Sequence, residues 1–419
     1  MTEQLNAAAE AAAEPADANP VDDETGGTEG TARRRASFHT LEVSEVRRLT
    51  NDSIEVTFAV PPVLADEYDY IPGQYVALRA QLADPADGDE GTPREVRRSY
   101  SICAAPQRFD DGSSEIKVAI KRDLGGVFST WANESLEAGA TLDVMSPAGA
   151  FISKHRMTGL NDPSSIDTEA EHTFVAVAAG SGITPIMAIA RTVLAANENV
   201  RFDLVYANKA AMDVMFVEEL ADIKDRYPSR FALHHVLSRE QRISPLLSGR
   251  VDAEKLTTLL NTVIHADDVD EWFLCGPFEL VQLVRDTLSG RGVEPEKVRY
   301  ELFTTGTPTN LEGNIGRPVV EDPSGKNFEI EFRLDGLSGS VKSPVSANET
   351  ILNAALRVRP DVPFACAGGV CGTCRAKLVT GTVDMAENYA LEADEVERGF
   401  VLTCQSRPTS DCVSVDFDA

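Results

Sequence analysis

Four of the seven cysteines stand at a spacing that does chemistry. Cys366, Cys371 and Cys374 fall in the pattern C-x4-C-x2-C, within Cys366-Ala-Gly-Gly-Val-Cys371-Gly-Thr-Cys374, and Cys404 follows after 29 intervening residues. Three thiolates from one short loop and a fourth from a distant segment form the ligand set of a 2Fe–2S cluster. The glycines between them let the loop approach the sulfides closely and aim backbone N–H groups at them. Structural zinc favours paired C-x2-C knuckles, and one such pair is present. Cys103, Cys275 and Cys412 show no framework spacing, which points to a reducing cytoplasm rather than a secreted disulfide scaffold. A cluster of this kind moves single electrons, so other segments must supply them.

Four further stretches could do so. In Arg98-Ser99-Tyr100-Ser101, strand alternation places Arg98 and Tyr100 on one face. An arginine fork pairs with phosphate, and a tyrosine ring stacks on a flat heterocycle. Gly125-Gly126-Val127-Phe128-Ser129-Thr130 puts glycines at a helix start, where backbone N–H groups can cradle a pyrophosphate. Gly180-Ser181-Gly182-Ile183-Thr184-Pro185 follows an apolar run and is the expected pyrophosphate site, although Pro185 departs from the G-x-G-x-x-G fingerprint and no acidic residue ends the next strand, unlike a simple NAD-type unit. Cys275-Gly276-Pro277 ends a later apolar strand. Cys275 can either touch a reactive ring there or be a small buried hydrophobe.

The elements that must position these residues follow from periodicity. Short strands over Thr40–Val46, Ser53–Val60, Tyr75–Arg79, Ser99–Ala104, Glu115–Lys121 and Thr141–Met145, with a helix over Val127–Leu136, predict a small antiparallel β-barrel spanning 37–152. Residues 81–96 read as a surface loop. From 172 to 303, five strands alternate with four helices, which predicts a parallel, doubly wound α/β sheet. In the helix expected over Val214–Arg226, the apolar stripe is Phe216, Leu220 and Ile223. A linker is expected over 304–326. A compact α+β unit over 327–419 is expected to contain a hairpin about Asp335-Gly336 and a helix over Asn348–Arg357. Residues 1–36 read as an acidic, disordered leader. The net charge of −28 argues against nucleic acid as a partner. No hydrophobic signal peptide opens the chain. Residues 173–190 carry no charge, but glycines and Pro185 interrupt them, so strand, turn and helix are expected there instead of a membrane span. The six histidines show no metal or triad spacing and are assigned no role.

Together, in this order, these stretches resemble the ferredoxin–NADP reductase superfamily with a C-terminal plant-type ferredoxin domain, as in reductase components of bacterial oxygenases. The likeness is carried by Phe38–Leu41, Glu95–Ile102, Ala178–Pro185, Val214–Phe216, Cys366–Arg375, Gly399–Gln405 and Val415–Asp418, and it covers 37–419. It implies that Arg98, Ser99, Tyr100 and Ser101 hold FAD, with Arg98 on the pyrophosphate and Tyr100 against the isoalloxazine. Gly126, Val127 and Ser129 would cap the pyrophosphate. Gly180, Gly182 and Thr184 would seat the nucleotide, with Cys275 and Gly276 beside the nicotinamide. Cys275 and Tyr100 are thus the candidate catalytic residues. In plant-type relatives an aromatic residue covers the flavin, and Phe303 stands nearest to that place.

Electron counting gives the implied order. NAD(P)H yields two electrons as a hydride and the cluster accepts one, so a flavin must stand between them. The acceptor implied is an oxygenase component, a di-iron epoxidase first and a Rieske-type ring or steroid hydroxylase as the alternative. Ser238-Arg239-Glu240-Gln241 ends a strand where the adenosine ribose is expected. A hydroxyl and an arginine fork there would select NADPH, whereas pairing with Glu240 would leave Arg239 an ordinary loop residue. The segment Glu387–Glu397, with Glu392, Asp394 and Glu395, is either a docking patch for a basic partner or a solvated acidic face.

Overall fold

The computed structural model describes residues 37–82, 94–123, 126–149, 151–155, 171–264, 268–303, 325–334, 336–359, 362–364, 369, 372–386, 388, 390–391 and 393–419. The expected leader, all but the last two residues of the expected linker, and the ligands Cys366 and Cys371 lie outside them.

Strands β1 (Phe38–Thr50), β2 (Ser53–Val60), β3 (Tyr75–Leu82), β4 (Arg94–Ser101), β5 (Ser114–Lys121) and β6 (Thr141–Met145) form one sheet in the order β4-β3-β6-β1-β2-β5. Every ladder in it is antiparallel. A bridge from Ile102 to Val118, with the Cys103 N–H donating to the Lys117 carbonyl at 2.9 Å, brings the end of β4 to β5 and curls the sheet into a barrel. Helix α1 (Val127–Ser135) packs Phe128 and Ala132 into the barrel core. β4 differs from expectation. It starts at Arg94 and ends at Ser101, so part of the supposed loop is strand. Its polar residues hide the alternation; the ladder to β3, from Tyr75↔Ser101 to Leu82↔Arg94, decides the pairing.

The second sheet is wholly parallel, in the order β11-β10-β7-β8-β9. Its elements run β7 (His172–Ala179), α2 (Ile183–Ala196), β8 (Val200–Asn208), α3 (Val217–Arg226), β9 (Phe231–Leu237), α4 (Ala253–Thr262), β10 (Glu271–Gly276), α5 (Phe278–Gly290) and β11 (Val298–Leu302). β10, an interior strand between β11 and β7, is buried along its whole length, as a strand covered by helices on both faces must be. The uncharged run 173–190 is β7, a turn and the start of α2, as expected. Among the described residues no helix is long and apolar enough to cross a membrane. Leu220 and Ile223 are buried on α3, but Phe216 precedes the helix as its N-cap at φ 59°, so the expected stripe begins outside it. Helix α4 is capped by Asp252, whose carboxylate accepts the Lys255 N–H at 2.8 Å. Asp252→Ala is expected to lower stability by about 1 kcal/mol, read from urea unfolding; an unchanged midpoint would show that the cap contributes nothing.

The third sheet is built from β12 (Asn327–Leu334), β13 (Leu337–Pro344), α6 (Ile351–Leu356), β14 (Arg375–Thr380), β15 (Val383–Met385), α7 (Ala393–Glu397), β16 (Phe400–Leu402), β17 (Ser406–Pro408) and β18 (Cys412–Asp416). Five of these strands order as β13-β12-β18-β14-β16, and β15 pairs with β17 in a separate ribbon. Helix α6 is shorter than the expected 348–357. Asn348 is left-handed at φ 46°, and the Thr350 hydroxyl caps the helix by accepting the Asn353 N–H at 3.3 Å.

Candidate functional site

Strand β4 has two working faces. Tyr100 is half-buried, its ring 5.8 Å from that of Phe128 on α1. Burial holds its phenol well above the ordinary pKa, with Arg98 pulling the other way. Arg98 donates from Nη1 to the Arg97 carbonyl at 2.7 Å. Arg97 and Ser99 alternate with these residues and point elsewhere. Ser99 was expected with the flavin set, yet its hydroxyl shares a 2.8 Å hydrogen bond with that of Thr373 in the cluster segment. Arg97 is buried and donates to Glu395 at 3.0 Å.

At the start of α1, no side chain caps the helix and its first turn holds no acidic residue. The first-turn N–H groups therefore lack intrahelical partners, a donor set that fits a pyrophosphate. Gly126 is required there, because a Cβ would sit 2.6 Å from the Ser129 Oγ. The Ser129 hydroxyl accepts the Asp123 N–H at 3.1 Å and is buried, so it braces the turn instead of facing outward. Val127 packs against the barrel core.

Strand order reverses between β7 and β10, and in open α/β sheets ligands bind at the carboxyl ends of such a pair. The turn Gly180–Gly182 leaves β7 there. The Tyr206 hydroxyl donates to the Gly180 carbonyl at 2.9 Å and the Thr184 hydroxyl to that of Ser181 at 3.0 Å. A Cβ on Gly182 would lie 2.2 Å from the Cys275 carbonyl, so only glycine lets the turn rest on the end of β10. Cys275 and Gly276 are fully buried, and burial pushes the Cys275 thiol well above the usual range. Phe303 packs against the same core, with its N–H donating to the Gly276 carbonyl at 2.9 Å.

One residue escaped the sequence reading. Glu301 lies opposite Cys275 in the β10–β11 register, and its carboxylate accepts the Ser101 hydroxyl at 3.2 Å, joining the barrel to the nucleotide sheet. No local pattern marks a partner 200 positions away. At the β9 edge of the sheet, Arg239, Lys209 and Arg242 are all exposed, and the Arg239 N–H donates to the Lys209 carbonyl at 2.8 Å. Glu240 does not pair with Arg239; it accepts the Ala211 N–H at 2.7 Å. No carboxylate among the described residues forms an ion pair with Arg239.

Of the four candidate cluster cysteines, Cys374 and Cys404 are described. Both are buried in the core of the third sheet. Thr403, preceding Cys404, donates its hydroxyl and its N–H to the Cys374 carbonyl at 2.9 and 3.2 Å, which ties the distant segment to the loop. Two buried thiols held in register fit a thiolate-ligated cluster. The expected docking residue Glu395 is not on a surface. It is buried between Arg97 and Arg375, so it cannot face a partner.

Comparison with known proteins places these parts. Residues 176–286 match the oxidoreductase NAD-binding domain family, and residues 335–409 the 2Fe-2S iron-sulfur cluster binding domain family. The chain is 38% identical over 387 residues to one of the subunits of 1,2-phenylacetyl-CoA epoxidase from Escherichia coli, covering 91% of this chain and 98% of that protein. It is 30% identical to the ferredoxin reductase component of 3-ketosteroid-9-alpha-monooxygenase from Rhodococcus rhodochrous, covering 90% and 96%. The fold also matches the flavohem-like FAD/NAD-binding domain of nitric oxide dioxygenase from Vibrio cholerae, with TM-score 0.50 and 23% identity over 65% of this chain and 99% of that one. With its nucleotide and cluster segments in this order, the chain belongs to the ferredoxin–NADP reductase superfamily, among the NAD(P)H-dependent flavin reductases of oxygenases that carry a C-terminal 2Fe–2S domain.

Proposed function

We propose that this chain takes a hydride from NADPH and delivers the two electrons, one at a time, to the di-iron epoxidase that acts on phenylacetyl-CoA in phenylacetate catabolism. The observation that carries this reading is β4, which presents Arg98 and Tyr100 on one face and holds Thr373, the neighbour of Cys374, from the other. When bound, FAD would supply the conversion of a two-electron donor to single-electron steps, and a 2Fe–2S centre the one-electron exit. Arg98, Tyr100, Ser101 and the helix start at Gly126, Val127 and Ser129 hold FAD, with the Gly126 N–H kept by the Asp123 carbonyl at 3.1 Å and the N–H groups of Val127 and Ser129 as donors. Ser99 contributes its backbone, since its hydroxyl is engaged elsewhere. Gly180, Gly182 and Thr184 seat the nucleotide. Cys275 and Gly276 back the nicotinamide subsite, while Ser238 and Arg239 grip the 2′-phosphate. Cys366, Cys371, Cys374 and Cys404 bind the cluster in a plant-type ferredoxin module. A reducing cytoplasm keeps such thiolates available.

The Ser101–Glu301 hydrogen bond spans the cleft between barrel and nucleotide sheet. It fixes the flavin strand relative to β10, where the hydride must cross. Ser101→Ala is expected to slow flavin reduction by NADPH about tenfold, the weight of one hydrogen bond to a charged group. Stopped-flow bleaching of the flavin measures it, and an unchanged rate would remove the bond from the hydride step. The acceptor is tested by reconstitution with purified oxygenase components. NADPH oxidation coupled to phenylacetyl-CoA epoxidation supports the reading. Coupling only to a Rieske-type or steroid oxygenase would replace it.

A further inference from the structure

Four charged side chains close a ring between the barrel and the cluster module. Glu95 and Arg97 come from β4; Arg375, next to Cys374, and Glu395 come from β14 and α7. Glu95 Oε1 accepts from Arg97 Nε at 2.8 Å and lies 3.4 Å from Arg375 Nη2. Glu395 Oε1 accepts from Arg97 Nη2 at 3.0 Å and from Arg375 Nη1 at 2.7 Å. The side chains of Arg97 and Glu395 are 6% and 3% exposed, so the ring is largely removed from water. Each guanidinium also lies over a phenylalanine of its own module, Arg97 over Phe38 at 5.0 Å and Arg375 over Phe400 at 4.3 Å. Arg97 Nη1, buried and without a hydrogen-bond partner among the described residues, lies near Gly372, where a Cβ would stand 3.4 Å away.

Buried charges cost solvation, and an apolar contact of the same area would often stabilise as well or better. What the ring supplies is uniqueness. Two carboxylates and two forks are all paired only in one relative placement of the modules, and sliding leaves a charge buried and alone. Ser99 and Thr373 share their hydrogen bond next to it. We infer that Glu95, Arg97, Arg375 and Glu395 form a lock that holds the cluster loop against the strand carrying the flavin motif, with Arg97 and Glu395 as its positioning residues. This deepens the electron-transfer reading above and rests on it. Each NADPH supplies one hydride, hence two electrons, and the lock sets the placement in which they leave singly for the cluster. No bond is made or broken at the ring.

The test uses the full holoprotein. In Glu395→Gln, stopped-flow mixing with NADPH should show flavin bleaching within about twofold of the parent. Cluster reduction should slow about tenfold or more, because the rate follows the fraction of molecules in the locked placement. Hydrogen exchange, independent of turnover, should rise in the peptides covering 94–101 and 372–378. Arg97→Met should behave likewise and carries the test if Glu395→Gln does not fold. Arg97→Lys, which keeps the charge but can engage one carboxylate at a time, should recover part of the rate. Unchanged cluster reduction and exchange in the first two variants would overturn the lock. Equal slowing of bleaching and cluster reduction would also overturn it, since the residues would then be supporting the barrel. A parent protein whose cluster NADPH never reduces would instead overturn the electron-transfer reading, before any variant is made.

Discussion

Replacing Cys374 by Ser is expected to abolish electron delivery to the oxygenase while leaving NADPH oxidation with an artificial flavin acceptor near the parent rate. Iron–sulfur chemistry selects soft thiolate ligands, and a serine oxygen is a much poorer one. Cys374 is buried in the core of the third sheet, and its carbonyl is held by Thr403, so the substitution alters the sulfur and leaves the local backbone its hydrogen bonds. The proposed hydride site lies elsewhere, at the carboxyl ends of β7 and β10, where Glu301 on neighbouring β11 meets Ser101 of β4. The measurement is a pair of rates on one preparation, ferricyanide reduction and oxygenase-coupled turnover, with iron counted per FAD. Iron should fall from about two per FAD in the parent toward zero. Loss of both activities in a folded variant would mean that the cluster precedes the flavin or supports its domain, and the proposed order would be wrong.

Arg239→Ala is expected to weaken NADPH about ten- to a hundredfold, with little change for NADH. NADPH differs only by its 2′-phosphate, and a hydrogen bond to a charged group contributes roughly 1.5–3 kcal/mol. The alternative pairing of Arg239 with Glu240 is not made in the structure. Glu240 is occupied by the Ala211 N–H, and Arg239 is exposed without a carboxylate ion pair among the described residues, so its fork is available to an anion. Because Arg239 is exposed, removing it should cost the fold little, and KM for the two coenzymes reads the effect directly. Equal losses for both, or a parent that prefers NADH, would sink the assignment.

The chemistry and the module order were legible in the residues themselves. Cysteine spacing is a local property of one loop, and the C-x4-C-x2-C pattern by itself points to the cluster. Strand and helix periods are local as well, which is why β9 and β11 match the expected Phe231–Leu237 and Val298–Leu302. Where local signals were weak, the expectation slipped. β4 is too polar to announce its start, and Phe216, on stripe by spacing, is a left-handed cap.

Tertiary structure alone decided which surfaces face each other. By composition Glu395 belongs to an acidic surface stretch; in the fold it is buried by an arginine 298 positions earlier in the chain. By motif Ser99 belongs with the flavin residues; alternation turns its hydroxyl to Thr373. Glu301 has no motif, yet meets Ser101 across the cleft. A charged side chain reads the same in sequence whether it is solvated or paired. Its role depends on a partner brought close by folding, and no local period encodes a contact between segments hundreds of residues apart.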